Sequence, residues 1–374
     1  MRKFERVYDD VEPVEEYRPG GYHPVHLNDR FNNRYEVIGK LAYGQFSTVW
    51  LANDQRLQRH VALKILKADA SRESKELAIL LYLSNQLPEH PGKKHVLNLL
   101  DHFQHEGPNG THLCLVSPVM ISDGQMMTIR EQPRQATYVR AVSTQVLLGL
   151  DFLHHASIIH CDLQPANIMF SAVNTTSSGV SLEPPEFSVV NWLEGVKVTD
   201  AAPRYLMISQ RARGVLDCAH FSTLLVKIGD LGGATWSAQC DKLPPTPRAL
   251  RAPELISQHR WDVGVDIWAL GCLIFQLATN EALFPLGTFG CTTEQIDEEH
   301  NFLINKILDT EDPMQPRFFA YLNERLPPDF GAKNSQRFAS FLRAMLRRDS
   351  RERKSTLKLL DHSFLFGVDC NQDT

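Results

Sequence analysis

In the stretch IIHCDLQPANIMF, Ile158 to Phe170, a carboxylate at Asp162 stands five residues before an amide at Asn167. That spacing lets one side chain take a hydroxyl proton while the other holds a metal ion, a division of labour suited to phosphoryl transfer. Further along, KIGDLGG (Lys227 to Gly233) reads as an apolar strand ending in Asp-Leu-Gly, with Asp230 as a second oxygen ligand for a hard cation. Earlier in the chain, LAYGQFSTV (Leu41 to Val49) reads as a strand-turn-strand loop with Gly44 at its tip. There the backbone N–H groups can approach triphosphate oxygens without interference from a Cβ. VALK (Val61 to Lys64) then places Lys64 on a strand, ahead of a segment that offers Glu76 as its partner.

These residues need a scaffold of two kinds. From Tyr35, YEVIGKLAYGQFSTVWLAND and RHVALKILK are rich in β-branched and aromatic residues and broken by a Gly-containing turn, which predicts three strands. A helix is predicted from about Glu73 to Gln86, with Glu76, Leu80 and Leu83 on one face. After Met120 the pattern is mostly helical, beginning with Tyr138 to His155, and VDIWALGCLIFQLA (Val265 to Ala278) predicts a buried helix too short to span a bilayer. Residues 171 to 224 carry NTTSSG and a PP pair without sustained periodicity, as an insertion does. Its apolar middle, RYLMISQ (Arg204 to Gln210), is expected to dock on the body of the protein.

Bulk properties agree with a globular protein. A chain of 374 residues, 43% hydrophobic and 22% charged, can bury a large core, and its net charge of -5 does not suggest nucleic-acid binding. Seven scattered cysteines without a C-x-x-C pair fit a reducing compartment better than a zinc or redox site. The opening MRKFERVYDDVEPVEEY has no apolar core and turns acidic, so neither export nor a membrane anchor is expected.

In their order along the chain, these motifs resemble a eukaryotic-type protein kinase from Tyr35 to about Phe366. RAPE (Arg251 to Glu254) and DIWALG (Asp266 to Gly271) complete the series; Glu254 is expected to pair with a buried arginine, Arg353, and Asp266 to hold the catalytic-loop backbone. GGYHPVHLNDRFNNRYEVIGKL, GQFSTVWLA and DLGGATW are similar to the serine/arginine-rich protein-specific kinases, which also carry a spacer between catalytic loop and metal aspartate.

The resemblance implies an α+β, two-lobed kinase fold. Residues 1–34 form an extension, 35–120 a small β-rich lobe with one main helix, 121–366 a larger, mainly α lobe with the insertion at about 171–224, and 367–374 a tail. It also implies ATP- and Mg²⁺-dependent phosphorylation of serines in Arg-Ser-rich, splicing-factor-like proteins by a cytoplasmic or nuclear enzyme, expected to be a monomer. Lys64 would bind phosphate and Glu76 position it, Asp162 would act as base, and Asn167 and Asp230 would hold the metal. Ser117 looks like the gatekeeper, with Pro118, Val119 and Met120 as the adenine-contacting hinge; Leu41, Ala42, Gly44, Val49 and Ala62 would enclose the nucleotide.

Several positions depart from the family pattern. Ala42 and Ser47 replace two loop glycines, and Cys161 replaces the arginine that binds an activation-loop phosphate, which implies ordering without that phosphate. Gln164 replaces the lysine that faces the transferring phosphoryl group, and Pro247 the threonine that pairs with it. Loss of one preorganised charge there costs on the order of 10²–10³ in rate unless it is compensated. The Gln164 amide can still donate a hydrogen bond to a phosphoryl oxygen, but it offers no full charge. The alternative reading is a pseudokinase scaffold that binds nucleotide or Arg-rich partners with little transfer activity. TEQIDEEH (Thr293 to His300) supplies Glu294, Asp297, Glu298 and Glu299 as a docking surface for basic substrates, against the plainer reading of a solvated helix face.

Overall fold

The computed structural model describes residues 2–85, 89–125, 134–172, 182–210, 224–240, 242–287, 289–308 and 317–366. The tail at 367–374 and parts of the insertion, 173–181 and 211–223, lie outside the described residues. The chain divides into two compact units, one of Met1–Gln86, Leu97–Ser122 and Ser171–Ala219, the other of Leu87–Val96, Asp123–Phe170 and His220–Thr374.

The first unit is built on a six-stranded antiparallel sheet in the order β1-β2-β3-β4-β6-β5. Its strands are β1 (Arg30–Phe31), β2 (Tyr35–Gly44), β3 (Ser47–Asp54), β4 (Arg59–Leu66), β5 (Asp101–Gly107) and β6 (Gly110–Ser117). β2 to β4 are the three strands predicted from the alternation of branched and aromatic residues. Phe31, Tyr35, Val37, Trp50, Val61, Leu63, Ile65 and Val116 form the buried core beneath them. The helical stretch is split into α1 (Ala68–Glu73) and α2 (Glu76–Asn85), where the sequence predicts one helix from about Glu73. Extended backbone at Ser74, which caps α1, separates the two. Glu76, Ile79, Leu80 and Leu83 are the buried face of α2.

Most of the described part of the insertion belongs to this same unit, although the sequence order places it within the larger lobe. Phe187–Val189 and Tyr205–Met207 pair as a short antiparallel ribbon, with Leu206 and Met207 buried. Met207 joins the sheet core, and Leu206 joins a second apolar cluster with Phe4, Val14, Tyr17, Tyr22 and Val190. RYLMISQ thus docks as its apolar composition requires, and what it meets includes the N-terminal extension.

The second unit is mainly helical: α3 (Ala136–His155), α4 (Pro253–Ile256), α5 (Gly264–Thr279), α6 (Thr293–Leu308), α7 (Arg317–Asn323), α8 (Ala332–Met345) and α9 (Thr356–Leu360). In α5 every residue except Gln276 is buried, as expected of a helix apolar on all sides. It ends at Asn280, whose φ of 62° supplies the left-handed cap. Arg353 grips Glu254 through two nitrogens, at 2.5 and 2.7 Å, and also donates to the Gly264 carbonyl, so the expected architectural pair is formed. No helix among the described residues is long and apolar enough to cross a membrane. Among these residues Cys114, Cys161, Cys240, Cys272 and Cys291 are free thiols.

Candidate active site

In the first unit, the strand register decides which side chains share a face. Ala42 is opposite Val49, Val49 opposite Lys64, Leu51 opposite Ala62, and Ala62 opposite Ser117. Directly paired residues, and residues two apart along a strand, project to the same side. Ala42, Val49, Ala62, Lys64 and Ser117 therefore line one face of the sheet. Leu41 falls in the register shift between Lys40 and Ala42, and Val119 and Met120 follow β6, half-buried. The turn between Gly44 and Ser47 forms the tip of the loop, and a Cβ built at Gly44 would meet nothing within 4 Å.

Lys64 meets both carboxylate oxygens of Glu76, at 2.8 and 2.9 Å. Glu76 is buried and the Lys64 side chain is 20% exposed, so the pair presents a fixed cation with part of its surface open. A charge-assisted, two-point contact of this kind holds the ammonium against its own flexible stem.

In the second unit, the loop that carries Asp162, the expected base, is ordered around one buried carboxylate. Asp266, on α5, accepts the backbone N–H groups of His160 and Cys161 at 2.8 and 2.9 Å and also contacts His154 Nε2 at 3.0 Å. Burial alone would raise its pKa, yet the bonds from His154 and the His160 N–H keep it below the ordinary aspartate range. An ionised Asp266 fixes the backbone just before Asp162. His160 Nε2 contacts the Gly229 carbonyl at 3.0 Å, and the Gly229 N–H donates to the Asn167 carbonyl at 2.8 Å, tying the loop to the segment that carries Asp230.

Within this frame Asp162, Gln164 and Asn167 form one network. Asn167 Nδ2 donates to the Asp162 carbonyl at 2.8 Å and to its carboxylate at 3.0 Å, and Gln164 Nε2 donates to the other carboxylate oxygen at 2.7 Å. Burial pushes the Asp162 carboxyl above its usual range, and the Asp230 charge adds to that, against the lowering effect of the Gln164 and Asn167 bonds and of His160. One N–H of the Gln164 amide is thus turned onto Asp162, a contact the sequence reading missed, and the second N–H of the same amide can still serve a phosphoryl oxygen. With Pro247 in place of a hydroxyl-bearing partner, the Asp162 carboxylate is an acceptor two residues away that the amide can reach.

Asp230 sits in left-handed backbone, φ 52°, and accepts the Gly232 N–H at 3.3 Å. Gly233 follows where a Cβ would lie 2.7 Å from Pro245 Cγ and 3.3 Å from Asp162 Cβ, a close approach that calls for glycine. With its Nδ2 spent on Asp162, the Asn167 amide keeps its carbonyl oxygen as the atom for a ligand. That oxygen and the Asp230 carboxylate are a hard donor pair, and Mg²⁺ takes few protein oxygens because it keeps waters and phosphate oxygens in its shell. The donor set fits the ion. Among the described residues no group of three or more His, Cys, Asp or Glu side chains is placed to hold a metal.

Cys161 is buried with φ 66°, and burial together with the Asp266 charge pushes its thiol up, away from nucleophilic chemistry. Its carbonyl accepts the Thr246 hydroxyl, a contact between catalytic loop and RAPE segment that the sequence reading missed. Nothing in the residue order marks Thr246, because its role depends on the position of a carbonyl 85 residues earlier.

On α6, Glu294, Asp297 and Glu298 are at i, i+3 and i+4 and share one face, with Glu294 and Glu298 exposed. Glu299 projects elsewhere, its carboxylate about 4 Å from where a Cβ on Gly287 would lie. Asp297 lies close enough to Arg251 to interact with its charge. The structure thus brings three of the four acidic residues together.

The protein kinase domain family matches residues 35–183 and 194–365, the gap falling within the insertion. The serine/threonine-protein kinase SRPK of Physarum polycephalum is 34% identical over 289 residues, which cover 73% of this chain and 67% of that protein. Protein kinase dsk1 of Schizosaccharomyces pombe is 31% identical over 366 residues, covering 75% and 67% respectively. SRSF protein kinase 3 of Homo sapiens is 37% identical over 167 residues, 43% of this chain and 30% of its own length. These similarities to named kinases do not support the pseudokinase alternative. The chain belongs to the protein kinase family, in its branch resembling the serine/arginine-rich protein kinases, and is an ATP-dependent serine/threonine protein kinase.

Proposed function

We propose that this kinase transfers the ATP γ-phosphoryl group to serines in Arg-Ser-rich proteins of the splicing-factor type. The observation that carries the substrate reading is the shared face of Glu294, Asp297 and Glu298 on α6, which offers clustered negative charge to a basic chain. Similarity to a kinase named for SRSF proteins agrees with it.

Asp162 accepts the proton of the substrate hydroxyl, with Gln164 and Asn167 holding its carboxylate in one orientation. Lys64, fixed by Glu76, binds the nucleotide phosphates, while Ala42, Gly44, Val49, Ala62, Ser117, Val119, Met120 and Leu41 enclose the nucleotide. Asn167 and Asp230 would hold Mg²⁺, which would neutralise charge on the phosphate oxygens. Cys161 and Thr246 tie the RAPE segment to the catalytic loop through a hydroxyl–carbonyl bond, so order there does not require an added phosphate. The enzyme works as a monomer in the cytoplasm or nucleus.

Transfer of labelled phosphate from ATP to an Arg-Ser repeat peptide tests the substrate class, with a peptide of equal length in which Gln replaces every Arg as comparison. The Arg-Ser peptide should be phosphorylated with a kcat/KM at least tenfold higher, roughly 1.4 kcal/mol of discrimination. Equal use of both peptides would remove the Arg-Ser assignment and leave the kinase activity standing.

A further inference from the structure

We propose that the N-terminal extension holds the phosphate loop in place, with Tyr22, Asp10 and Glu12 as positioning residues for the nucleotide. The inference rests on the reading of Leu41 to Val49 as the phosphate loop. Three polar contacts run from the extension to the last turn-proximal residues of β2. The Glu12 carboxylate pairs with Lys40 Nζ, the Tyr43 hydroxyl donates to Asp10 at 2.7 Å, and the Tyr22 hydroxyl donates to the Gly44 carbonyl at 2.6 Å. Lys40 is 0% exposed and Glu12 1%, so this is an ion pair inside the protein rather than a surface contact.

The tethering groups are themselves fixed. Tyr17 donates to the second oxygen of Glu12 at 2.6 Å, and Lys67 lies 4.2 Å from the centre of the Tyr22 ring while pairing with Glu16 at 2.8 Å. Asn109 donates to the Tyr22 carbonyl at 2.7 Å. The insertion grips the same strand. Lys40 Nζ donates to the Met207 carbonyl at 2.8 Å, and the Lys40 backbone exchanges bonds with Gln210, accepting its N–H and donating to its side-chain oxygen. Gly39 lies close under the insertion, where a Cβ would come within 2.6 Å of the side-chain ends of Leu182 and Gln210.

The Tyr22 contact bears directly on ligand geometry. A peptide unit is planar and trans, so fixing the Gly44 carbonyl oxygen also fixes the direction of the Gln45 N–H at the loop tip. A loop ordered before its ligand arrives loses less conformational freedom on binding. A clamp with a purely structural role would affect every ligand of the unit alike, whereas positioning of the loop acts on phosphates and spares the nucleoside.

The test is calorimetric binding of Mg-ATP and of adenosine to the full chain, comparing wild type with Tyr22→Phe and Tyr43→Phe, which delete one hydroxyl each and keep the rings. Each variant should bind Mg-ATP about fivefold more weakly, the consequence of one lost hydrogen bond, with adenosine affinity changed by less than about twofold. Parallel weakening of both ligands, or unchanged Mg-ATP affinity in both variants, would overturn the proposal. A wild-type protein that binds adenosine and shows no gain from the triphosphate would remove the phosphate-loop reading itself, and the proposal with it.

Discussion

Gln164 donates its amide to the carboxylate of Asp162, the proposed base, at 2.7 Å, so the residue that stands in place of a phosphate-facing lysine touches that carboxylate directly. The bond favours the ionised carboxylate and opposes the upward push of burial. Gln164→Ala should therefore raise the Asp162 pKa further. Because the proposed base works only when ionised, activity should be lost as pH falls through that pKa, and the variant should lose it at a higher pH than wild type. A kcat–pH profile should show the acid limb displaced upward, with a rate about tenfold lower on that limb. Coincident limbs would show that Gln164 does not tune the base.

The Glu254–Arg353 pair predicts a large stability effect. Arg353→Ala leaves a poorly exposed carboxylate without its two-point partner, which should cost about 3–5 kcal/mol. Urea unfolding of Arg353→Ala, Glu254→Ala and the double variant reads the coupling. Additive single effects would mean that the pair is not energetically linked.

His300 predicts a pH dependence of stability. Its ring is buried against Phe284 with no hydrogen-bond partner at Nε2 among the described residues, and burial, then the Arg251 charge, lower its pKa from 6.5 to about 4. Between those values the unfolded chain takes a proton that the folded one refuses. The His300 contribution is fully present above pH 6.5 and is lost as pH falls toward 4, at about 1.4 kcal/mol per pH unit. Denaturant midpoints of His300→Phe measured from pH 7 to 4 should fall less steeply than those of wild type. A parallel decline would assign the acid sensitivity to other groups.

The acidic face of α6 predicts a substrate effect that salt should weaken. Reversal of Glu294, Asp297 and Glu298 to Lys should raise KM for an Arg-Ser peptide about tenfold at low ionic strength, and the wild-type KM should rise as salt is added. Reversal of Glu299 alone should do less, because it projects from another side of the helix. Equal effects at 298 and 299 would contradict a face-specific interaction.

The sequence made legible those features whose signals are local. Val49, Ala62 and Lys64 fall in strands with clear alternation, Glu76 follows at helical spacing, and Asp266 opens an unmistakably apolar helix. The orientation of Gln164 was not legible, because both the phosphate-facing and the Asp162-facing conformations suit an amide, and the choice depends on neighbours brought in by folding. The tethers from Tyr22, Glu12 and Asp10 were hidden for another reason. They join residues 22, 28 and 33 positions apart in a segment that is acidic and aperiodic, and such polar pairs leave no repeat to read. The docking of RYLMISQ was foreseeable from its apolar composition, its partners in the extension were not.

The assignment of Asp162 as the base is tested most directly by pairing two readouts on one variant, Asp162→Asn. Radiolabelled phosphate transfer from Mg-ATP to an Arg-Ser peptide should fall by on the order of 10²–10⁴, while calorimetric affinity for Mg-ATP stays within about threefold of wild type. Transfer at the wild-type rate by the purified variant, with nucleotide binding intact, would contradict the account.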